Sequence, residues 1–300
     1  MISFCSAVIS KNLEDYLSIL TDTLCRHTKY VKEVILVKTD LRRDKLIKSW
    51  SKNGIEFKLF GLKQYNPICP FGLNWQKMIC GHAMGLYQAI QQSTQKYVWM
   101  SDPDVFLFTS VDKIYLDLIN KHDLNLIGVS HFNAEMQSYE FCPCIINCMV
   151  KKEDLPPPNW LGGFQAQTSM KISDPTQNVF SVGDCWLIPG YLPEHVNSFP
   201  NPSGIFDAGC NLWLWNELKK GKWLSFYVDT QNLNKDERFL FENKGFENLV
   251  YPLNYNTSKY KSNFGLKEDL GNLDLLYHRT RGSYEDSASY KNLYHSIYQV

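Results

Sequence analysis

The sequence predicts an α/β fold in which a mostly parallel central sheet is flanked by helices. Apolar runs typical of buried strands alternate with segments of helical periodicity over residues 1–132, a pattern typical of right-handed βαβ units. The 300 residues are 44% hydrophobic and 21% charged, so the chain can bury a large core. We therefore expect one domain over residues 1–300, in which 1–132 build most of the sheet and 133–300 form a loop-rich half.

The predicted elements follow from the spacing of the apolar residues. Apolar runs predict strands at 4–9, 34–37, 55–59, 97–100, 124–129 and 185–188. Apolar residues at helical spacing predict helices at 13–24, 44–52, 75–94, 112–120 and 210–220. The helix at 44–52 rests on a stripe of Leu46, Ile47 and Trp50, and Asn53 with Gly54 is interpreted as its C-terminal stop.

Charge and hydropathy exclude two classes of partner. Lys plus Arg number 31 and so do Asp plus Glu, so the chain lacks the positive excess of a general nucleic-acid binder. No apolar run approaches the roughly 20 residues that a transmembrane helix needs. The segment 1–10 has neither the basic start nor the long apolar stretch of a secretory signal. We expect no nucleic-acid partner, no transmembrane segment and a cytoplasmic location.

The nine cysteines are too few for a disulfide scaffold, and their number is odd. Their one cluster contains Cys142, Cys144 and Cys148. A zinc site would need a fourth ligand from elsewhere and a more usual spacing. Reduced, partly buried thiols are the preferred interpretation, in agreement with a cytoplasmic location.

Two aspartates separated by one residue form the strongest chemical signal. Asp102 and Asp104 directly follow the apolar run at 97–100. Ligands of open α/β sheets bind beyond the carboxyl ends of the strands, so both carboxylates lie where a binding or catalytic site is expected. Their hard oxygen atoms suit Mg²⁺ or Mn²⁺, which commonly bridge a carboxylate to a diphosphate. The alternative interpretation is an ordinary turn, because Asp-Pro-Asp is also good turn chemistry.

With this motif, residues 4–221 resemble a GT-A glycosyltransferase, broadly of the family 2 type. The segment 3–28 is similar to the family's nucleotide-binding start, and 81–90 to the helix before its metal motif. The resemblance implies sugar transfer from a nucleotide-diphosphate donor held through Mn²⁺ or Mg²⁺. It makes residues 1–132 the nucleotide-sugar-binding half and 133–300 the acceptor-binding half. The Gln-x-x-Arg-Trp signature of processive synthases is absent, so we expect single additions.

The resemblance also implies the roles of residues around the donor. Asp104 is the expected direct metal ligand, and Asp102 a second ligand or a contact to the donor's ribose or sugar. His278 is the expected third metal ligand from a late segment. Further donor contacts are expected after the first two strands, on the helix before the acidic pair and beyond His278: Ser10, Asp40, His82, Arg279, Arg281 and Ser283. The competing interpretation of the late segment is a solvated basic turn.

Asp207 and Asp184 compete for the role of catalytic base. Inverting transfer needs a carboxylate that takes the proton of the acceptor hydroxyl. Asp207 precedes the predicted helix at 210–220, where the family places an acid, and is equally suited to capping that helix. Asp184 follows Gly183 and is the second choice, with a plain turn as its alternative. We expect an inverting reaction with Asp207 as base.

Aromatic residues of the second half predict an acceptor site. Aromatic rings stack on sugar faces, so Trp160, Gly163 beside it and Trp186 are expected to contact a glycan, glycolipid or protein acceptor. Two other functions compete. A nucleotidyltransferase would show a Gly-rich, basic loop after the first strand, and 10–12 contains no glycine. The intact acidic pair disfavours a catalytically inactive carbohydrate-binding relative.

Overall fold

The computed structural model of the chain describes eighteen segments of it. They are residues 1–8, 13–39, 45–62, 85–129, 131–133, 138–140, 143, 147–155, 170–171, 180–182, 185–187, 212, 215–216, 219–227, 253–256, 260–271, 273–278 and 287–298. Among these segments, no helix is both long and apolar enough to cross a membrane.

A nine-stranded sheet forms the centre of the fold. From edge to edge its strands are β16 (Tyr260–Ser262), β14 (Trp223–Phe226), β7 (Leu126–Val129), β10 (Asn147–Lys151), β5 (Tyr97–Ser101), β1 (Ile2–Val8), β2 (Val31–Lys38), β4 (Ile55–Gly61) and β3 (Leu46–Lys52). The pairings give six strands one direction, whereas β3, β10 and β16 run the opposite way. The predicted mostly parallel α/β sheet is confirmed.

Helices cover both faces of this sheet, which explains why the central strands β1 and β5 are buried along their whole length. The apolar stripes of α1 (Leu13–His27) and α3 (Val111–His122) join the core cluster that contains Phe4 and Trp99. Ala7 points to the opposite face from Phe4, because side chains alternate along a strand. A Cβ placed on Gly85 would lie 3.0 Å from the Ala7 Cβ, so α2 (residues 85–92) covers that second face.

Residues 46–52 form strand β3 and not the predicted helix. β3 pairs antiparallel with β4, and the ring of Trp50 stacks on that of Phe57 with centroids 5.1 Å apart. Asn53 and Gly54 have φ values of 51° and 76°, the left-handed values that a two-residue hairpin turn requires. Asn-Gly therefore marks a hairpin here and not a helix end. Leu46 and Ile47 remain exposed at the sheet edge.

The other strands predicted in the first half and the helices predicted at 13–24 and 112–120 are confirmed, with ends that shift by up to three residues. Of the helix predicted at 75–94, the structure describes 85–94, and 85–92 of these are helical. The helix predicted at 210–220 is helical at the described positions 212 and 215–216, and residues 219–220 form a turn.

The second half contributes strands to the central sheet and to three smaller sheets. β10, β14 and β16 extend the central sheet. The smaller sheets consist of β8 (His131–Asn133) with β9 (Ser138–Glu140); β11 (Met170–Lys171), β12 (Phe180–Val182) and β13 (Cys185–Leu187); and β15 (Leu253–Asn256), β17 (Asp274–His278) and β6 (Val105–Leu107). β13 is the strand predicted at 185–188. The third small sheet joins a late segment to β6, which directly follows the two aspartates.

A C-terminal helix, α4 (Ser287–Tyr298), packs on α1 and on β6. The Tyr294 hydroxyl donates a hydrogen bond to the Asp22 carboxylate of α1. The Phe106 ring meets the rings of Tyr294 and Tyr298 edge to face, with centroids 5.6 and 6.0 Å apart. α4 thus covers the strand that follows the acidic pair.

Candidate active site

The carboxyl ends of four neighbouring parallel strands meet at one edge of the central sheet, which we call the carboxyl edge. They end at Val8 in β1, Lys38 in β2, Gly61 in β4 and Ser101 in β5. The backbone N–H of Thr39 donates to the Val8 carbonyl at 2.9 Å, which holds the ends of β1 and β2 side by side. In an open α/β sheet this edge is where ligands bind.

The first described residues of α2 lie against this same edge. A Cβ on Gly85 would lie 3.0 Å from both the Ala7 Cβ and the Thr39 Cγ2, a tight contact, so glycine favours the close approach of this helix to β1 and β2. The buried amide of Gln88 donates from Nε2 to the Gly61 carbonyl at 2.9 Å. α2 is therefore fixed to the ends of three strands of the carboxyl edge.

The acidic pair occupies the turn between β5 and β6, at the carboxyl edge. Asp104 is buried, with 6% of its surface exposed, whereas Asp102 is partly exposed. The turn is short because β6 begins directly after Asp104. The sequence-based placement of both carboxylates beyond the end of an apolar strand is therefore correct, and one of them faces the protein interior more than the other.

The strand that leaves the acidic pair is anchored by two helices. The Leu107 N–H donates to the Thr23 Oγ1 of α1 at 2.8 Å, and the Leu107 carbonyl accepts a hydrogen bond from the Tyr298 hydroxyl of α4. Phe106 between them is fully buried. Both backbone polar groups of Leu107 are thus used, which holds β6 and the end of the turn in place.

β17 brings His278 to this turn. In the antiparallel pair β6–β17, His278 is the register partner of Val105, the residue that follows Asp104. The structure describes the backbone of His278 only. Arg279, Arg281 and Ser283, which follow it, lie outside the described residues. The structure thus places the backbone of His278 beside the residue that follows Asp104.

On its other side, β5 is supported by a buried asparagine that the sequence analysis did not single out. Asn147 of β10 is the register partner of Ser101, and its Nδ2 donates to the Ser101 Oγ at 3.2 Å. Its Oδ1 accepts from the Trp99 Nε1 at 3.2 Å and from the Tyr115 hydroxyl at 2.9 Å. The available signal was one polar residue at the start of an apolar run, Asn147 to Val150.

Cys148, the next residue of β10, is a buried free thiol. Burial raises the pKa of this thiol, and the negative charge of the nearby Asp102 carboxylate adds to the rise. Cys148 is thus a neutral group beside the acidic pair. Cys142 and Cys144, the other members of the cysteine cluster, lie outside the described residues.

The acidic pair has the donor chemistry for a divalent cation. Among the described residues, no group of three or more His, Cys, Asp or Glu side chains is close enough to hold a metal. Mg²⁺, however, usually binds through one or two carboxylates and completes its shell with water and substrate phosphates. Asp102 and Asp104 fit that pattern; Asp102 is partly exposed, and its Oδ1 atom is buried in the turn.

Most of the other site residues predicted from the sequence lie outside the described residues. These are Ser10, Asp40, His82, Trp160, Gly163, Asp184 and Asp207. Described residues adjoin some of them: Thr39 stands directly before Asp40 at the carboxyl edge. Trp186 lies in the middle of β13 as the register partner of Ser181, and only its backbone is described.

Comparisons with known proteins give distant likenesses. No protein-family model matches the chain, and no curated protein sequence is similar to it. The solved structure of S. aureus TarS is similar over 51% of this chain and 47% of that chain, with 14% identity and a TM-score of 0.33. TarS in complex with UDP-GlcNAc is similar over 51% and 46%, with 13% identity and a TM-score of 0.32.

The glycosyltransferase GlyE of Streptococcus pneumoniae is similar over 51% of this chain and 34% of that chain, with 13% identity and a TM-score of 0.29. The matched regions span less than half of these proteins. Because the TM-scores are low, the functional assignment rests on the geometry of this chain's own residues.

Proposed function

We propose that the chain is a GT-A glycosyltransferase of the family 2 type, which moves a sugar from a nucleotide-diphosphate donor to an acceptor hydroxyl. The acceptor is a glycan, a glycolipid or a protein, and sugars are added one at a time. The observation that carries the proposal is the position of Asp102 and Asp104 in the turn between β5 and β6. This turn lies at the carboxyl edge, on the same side of the sheet as the ends of β1 and β2.

The charge of this turn argues for a cation-assisted reaction. Two carboxylates one residue apart repel an anionic diphosphate unless a cation lies between them. Asp104 is largely shielded from water, so its charge is screened less than that of an exposed aspartate. Asp102 and Asp104 would hold Mn²⁺ or Mg²⁺, whose chemistry would be to supply positive charge to the leaving diphosphate.

The chain's own residues would position the donor and move the proton. The carboxyl edge would hold the nucleotide, with Ser10, Asp40 and His82 as expected contacts. Asp207, or Asp184 in its place, would take the proton of the acceptor hydroxyl as its oxygen attacks the sugar. Arg279, Arg281 and Ser283 would bind the leaving diphosphate from the segment that follows β17.

A thermal-shift panel of nucleoside diphosphates and nucleotide sugars, each with and without Mn²⁺, tests the proposal. A ligand that binds the folded state raises stability by mass action, by about 2.7 kcal/mol at one hundred times its dissociation constant. We expect at least one nucleotide sugar to raise the melting temperature only when Mn²⁺ is present. The same mixture should release free nucleoside diphosphate when an acceptor is supplied.

Two variants make the test specific. Asp104→Asn should lose the Mn²⁺-dependent shift. Asp117→Asn should keep it, because Asp117 is an exposed aspartate of α3 that pairs with Lys113. Donor binding that is equal in excess chelator, or equal in both variants, would overturn the metal assignment. Release of pyrophosphate from nucleoside triphosphates would favour a nucleotidyltransferase instead.

A further inference from the structure

Asn147 is placed where it holds both ends of the segment that carries the acidic pair. Ser101 ends β5 immediately before Asp102, and Tyr115 lies in the second turn of α3. The chain leaves this amide at Ser101 and passes through the acidic turn and β6. It then returns to the same amide at Tyr115. One side chain therefore closes a loop around residues 101–115.

The chemistry of the partners fixes the orientation of this amide. The Trp99 indole N–H can only donate, so the Asn147 atom that it meets is the carbonyl oxygen Oδ1. The atom that faces Ser101 is then the NH₂ group, and Ser101 Oγ accepts its hydrogen bond. The Ser101 hydroxyl can in turn donate to the backbone carbonyl oxygen of Asp102, which lies 3.3 Å away. A directed chain of hydrogen bonds runs from the core to Asp102.

Burial makes this arrangement rigid. Asn147, Trp99 and Tyr115 are fully buried, and Ser101 is 1% exposed. Water cannot replace a lost partner at such positions, so each group keeps its protein hydrogen bond. The Tyr115 ring is itself fixed, because it lies parallel to the ring of Phe226 at 6.2 Å and meets Trp99 edge to face.

We propose that Asn147 is a positioning residue for the acidic pair: its amide sets the backbone from which Asp102 and Asp104 reach the divalent cation. The inference rests on the proposed function, since it assigns Asn147 a role in that site. It predicts that the loss of this amide weakens metal binding even where the fold survives.

The test uses Mn²⁺ alone as the probe, with its binding to the full chain followed by electron paramagnetic resonance of the free ion. Groups that orient metal ligands typically contribute about 10- to 100-fold to metal affinity. We expect Asn147→Leu and Ser101→Ala each to raise the dissociation constant for Mn²⁺ by about that factor. The double variant should bind Mn²⁺ no more weakly than the weaker-binding single variant, because both changes break the same chain of hydrogen bonds.

Glu33→Gln is the matched stability control. Glu33 is buried at the opposite edge of the sheet, where it bonds Ser3 and Thr94. This variant should lose stability while it keeps the wild-type Mn²⁺ affinity. If Asn147→Leu does not fold, Ser101→Ala and Tyr115→Phe decide the matter, since each removes one hydroxyl.

The outcomes separate the inference from the proposed function. Asn147→Leu, Ser101→Ala and Tyr115→Phe are the network variants. If they melt at lower temperature yet bind Mn²⁺ as the wild type does, Asn147 is only structural and the inference is wrong. If Asp104→Asn also binds Mn²⁺ normally, the proposed metal site itself is wrong. Weakened Mn²⁺ binding in the network variants, with normal binding in Glu33→Gln, supports both.

Discussion

Val105, the residue after Asp104, lies directly opposite His278 in the antiparallel pair β6–β17. Two segments that are far apart in the sequence therefore meet at the acidic turn. β6 is also held by two hydrogen bonds of Leu107, one donated to Thr23 of α1 and one accepted from Tyr298 of α4, so β17 pairs with a strand that cannot shift easily. An early turn and a late strand thus lie together at the candidate site.

His278→Ala tests whether this late strand supplies a metal ligand. Removing a ligand should raise the dissociation constant for Mn²⁺ by about 10-fold or more, with little change in melting temperature. Isothermal titration of the purified chain with Mn²⁺ measures this. His122→Ala is the control, because His122 lies at the C-terminal end of α3 and faces Glu268. Equal Mn²⁺ affinities in the two variants would remove His278 from the site.

Asp207→Asn and Asp184→Asn separate the two candidates for the catalytic base. If Asp207 only caps the helix, Asp207→Asn should change little, because Asn caps a helix about as well as Asp. Loss of a general base should lower kcat by about 10²- to 10⁴-fold and leave donor binding and melting near normal. We expect this of Asp207→Asn and a milder effect of Asp184→Asn.

Steady-state turnover with a saturating donor gives the answer. Normal turnover in Asp207→Asn together with an inactive Asp184→Asn would move the base to Asp184. If both variants stay active, the inverting mechanism should be abandoned.

Glu33 gives a prediction on pH and stability. Burial alone would raise the pKa of this carboxyl, but hydrogen bonds from Ser3 and Thr94 and the charge of Lys58 outweigh burial, so its pKa lies below the usual value of 4.5. An acid with a lowered pKa stabilises the fold fully above its unfolded-state pKa, and this contribution is lost as the pH falls through the folded-state pKa.

Glu33→Gln should therefore lower the free energy of unfolding by about 1.5–3 kcal/mol at neutral pH, the usual contribution of hydrogen bonds to a charged group. The difference from the wild type should shrink as the pH falls below 4.5. Urea unfolding at several pH values measures both. A difference that stays constant down to low pH would show that the charge of Glu33 does not matter.

Gly128 tests the packing between β7 and β10. A Cβ at this position would lie 2.6 Å from both the Asn147 carbonyl oxygen and the Cys148 Cβ, closer than atoms can pack. Gly128→Ala should therefore cost about 1–3 kcal/mol of stability, as overpacking typically does. Ser225→Ala is the control, because Ser225 is the register partner of Gly128 and its Oγ has no hydrogen-bond partner among the described residues.

Chemical denaturation of the two variants compares them directly. Equal stability of Gly128→Ala and the wild type would mean that β10 moves away from β7 without cost. In that event Asn147 would not be held as rigidly as its hydrogen bonds imply.

The sequence predicted the local elements well where the apolar pattern matched only one conformation. It misassigned β3, because the pattern of residues 46–52 matches both a helix and a strand. Leu46, Ile47 and Trp50 can form a helical stripe, yet they also fit an exposed edge strand. The stacking of Trp50 on Phe57 and the positive φ values of Asn53 and Gly54 decide for the strand. Phe57 belongs to the next strand, so the spacing of apolar residues within 44–52 could not predict this contact.

By itself, the sequence determined the alternation of buried strands with amphipathic helices and the place of Asp102 and Asp104 after β5. Both follow from short-range patterns, because the period of apolar residues reports which face of an element is buried. Tertiary structure alone decided that β10 lies beside β5, that Asn147 binds Ser101 and Tyr115, and that β17 pairs with β6. These are pairings between distant segments. They depend on which strand edges and buried polar groups find partners once the core has formed, and no local period encodes that choice.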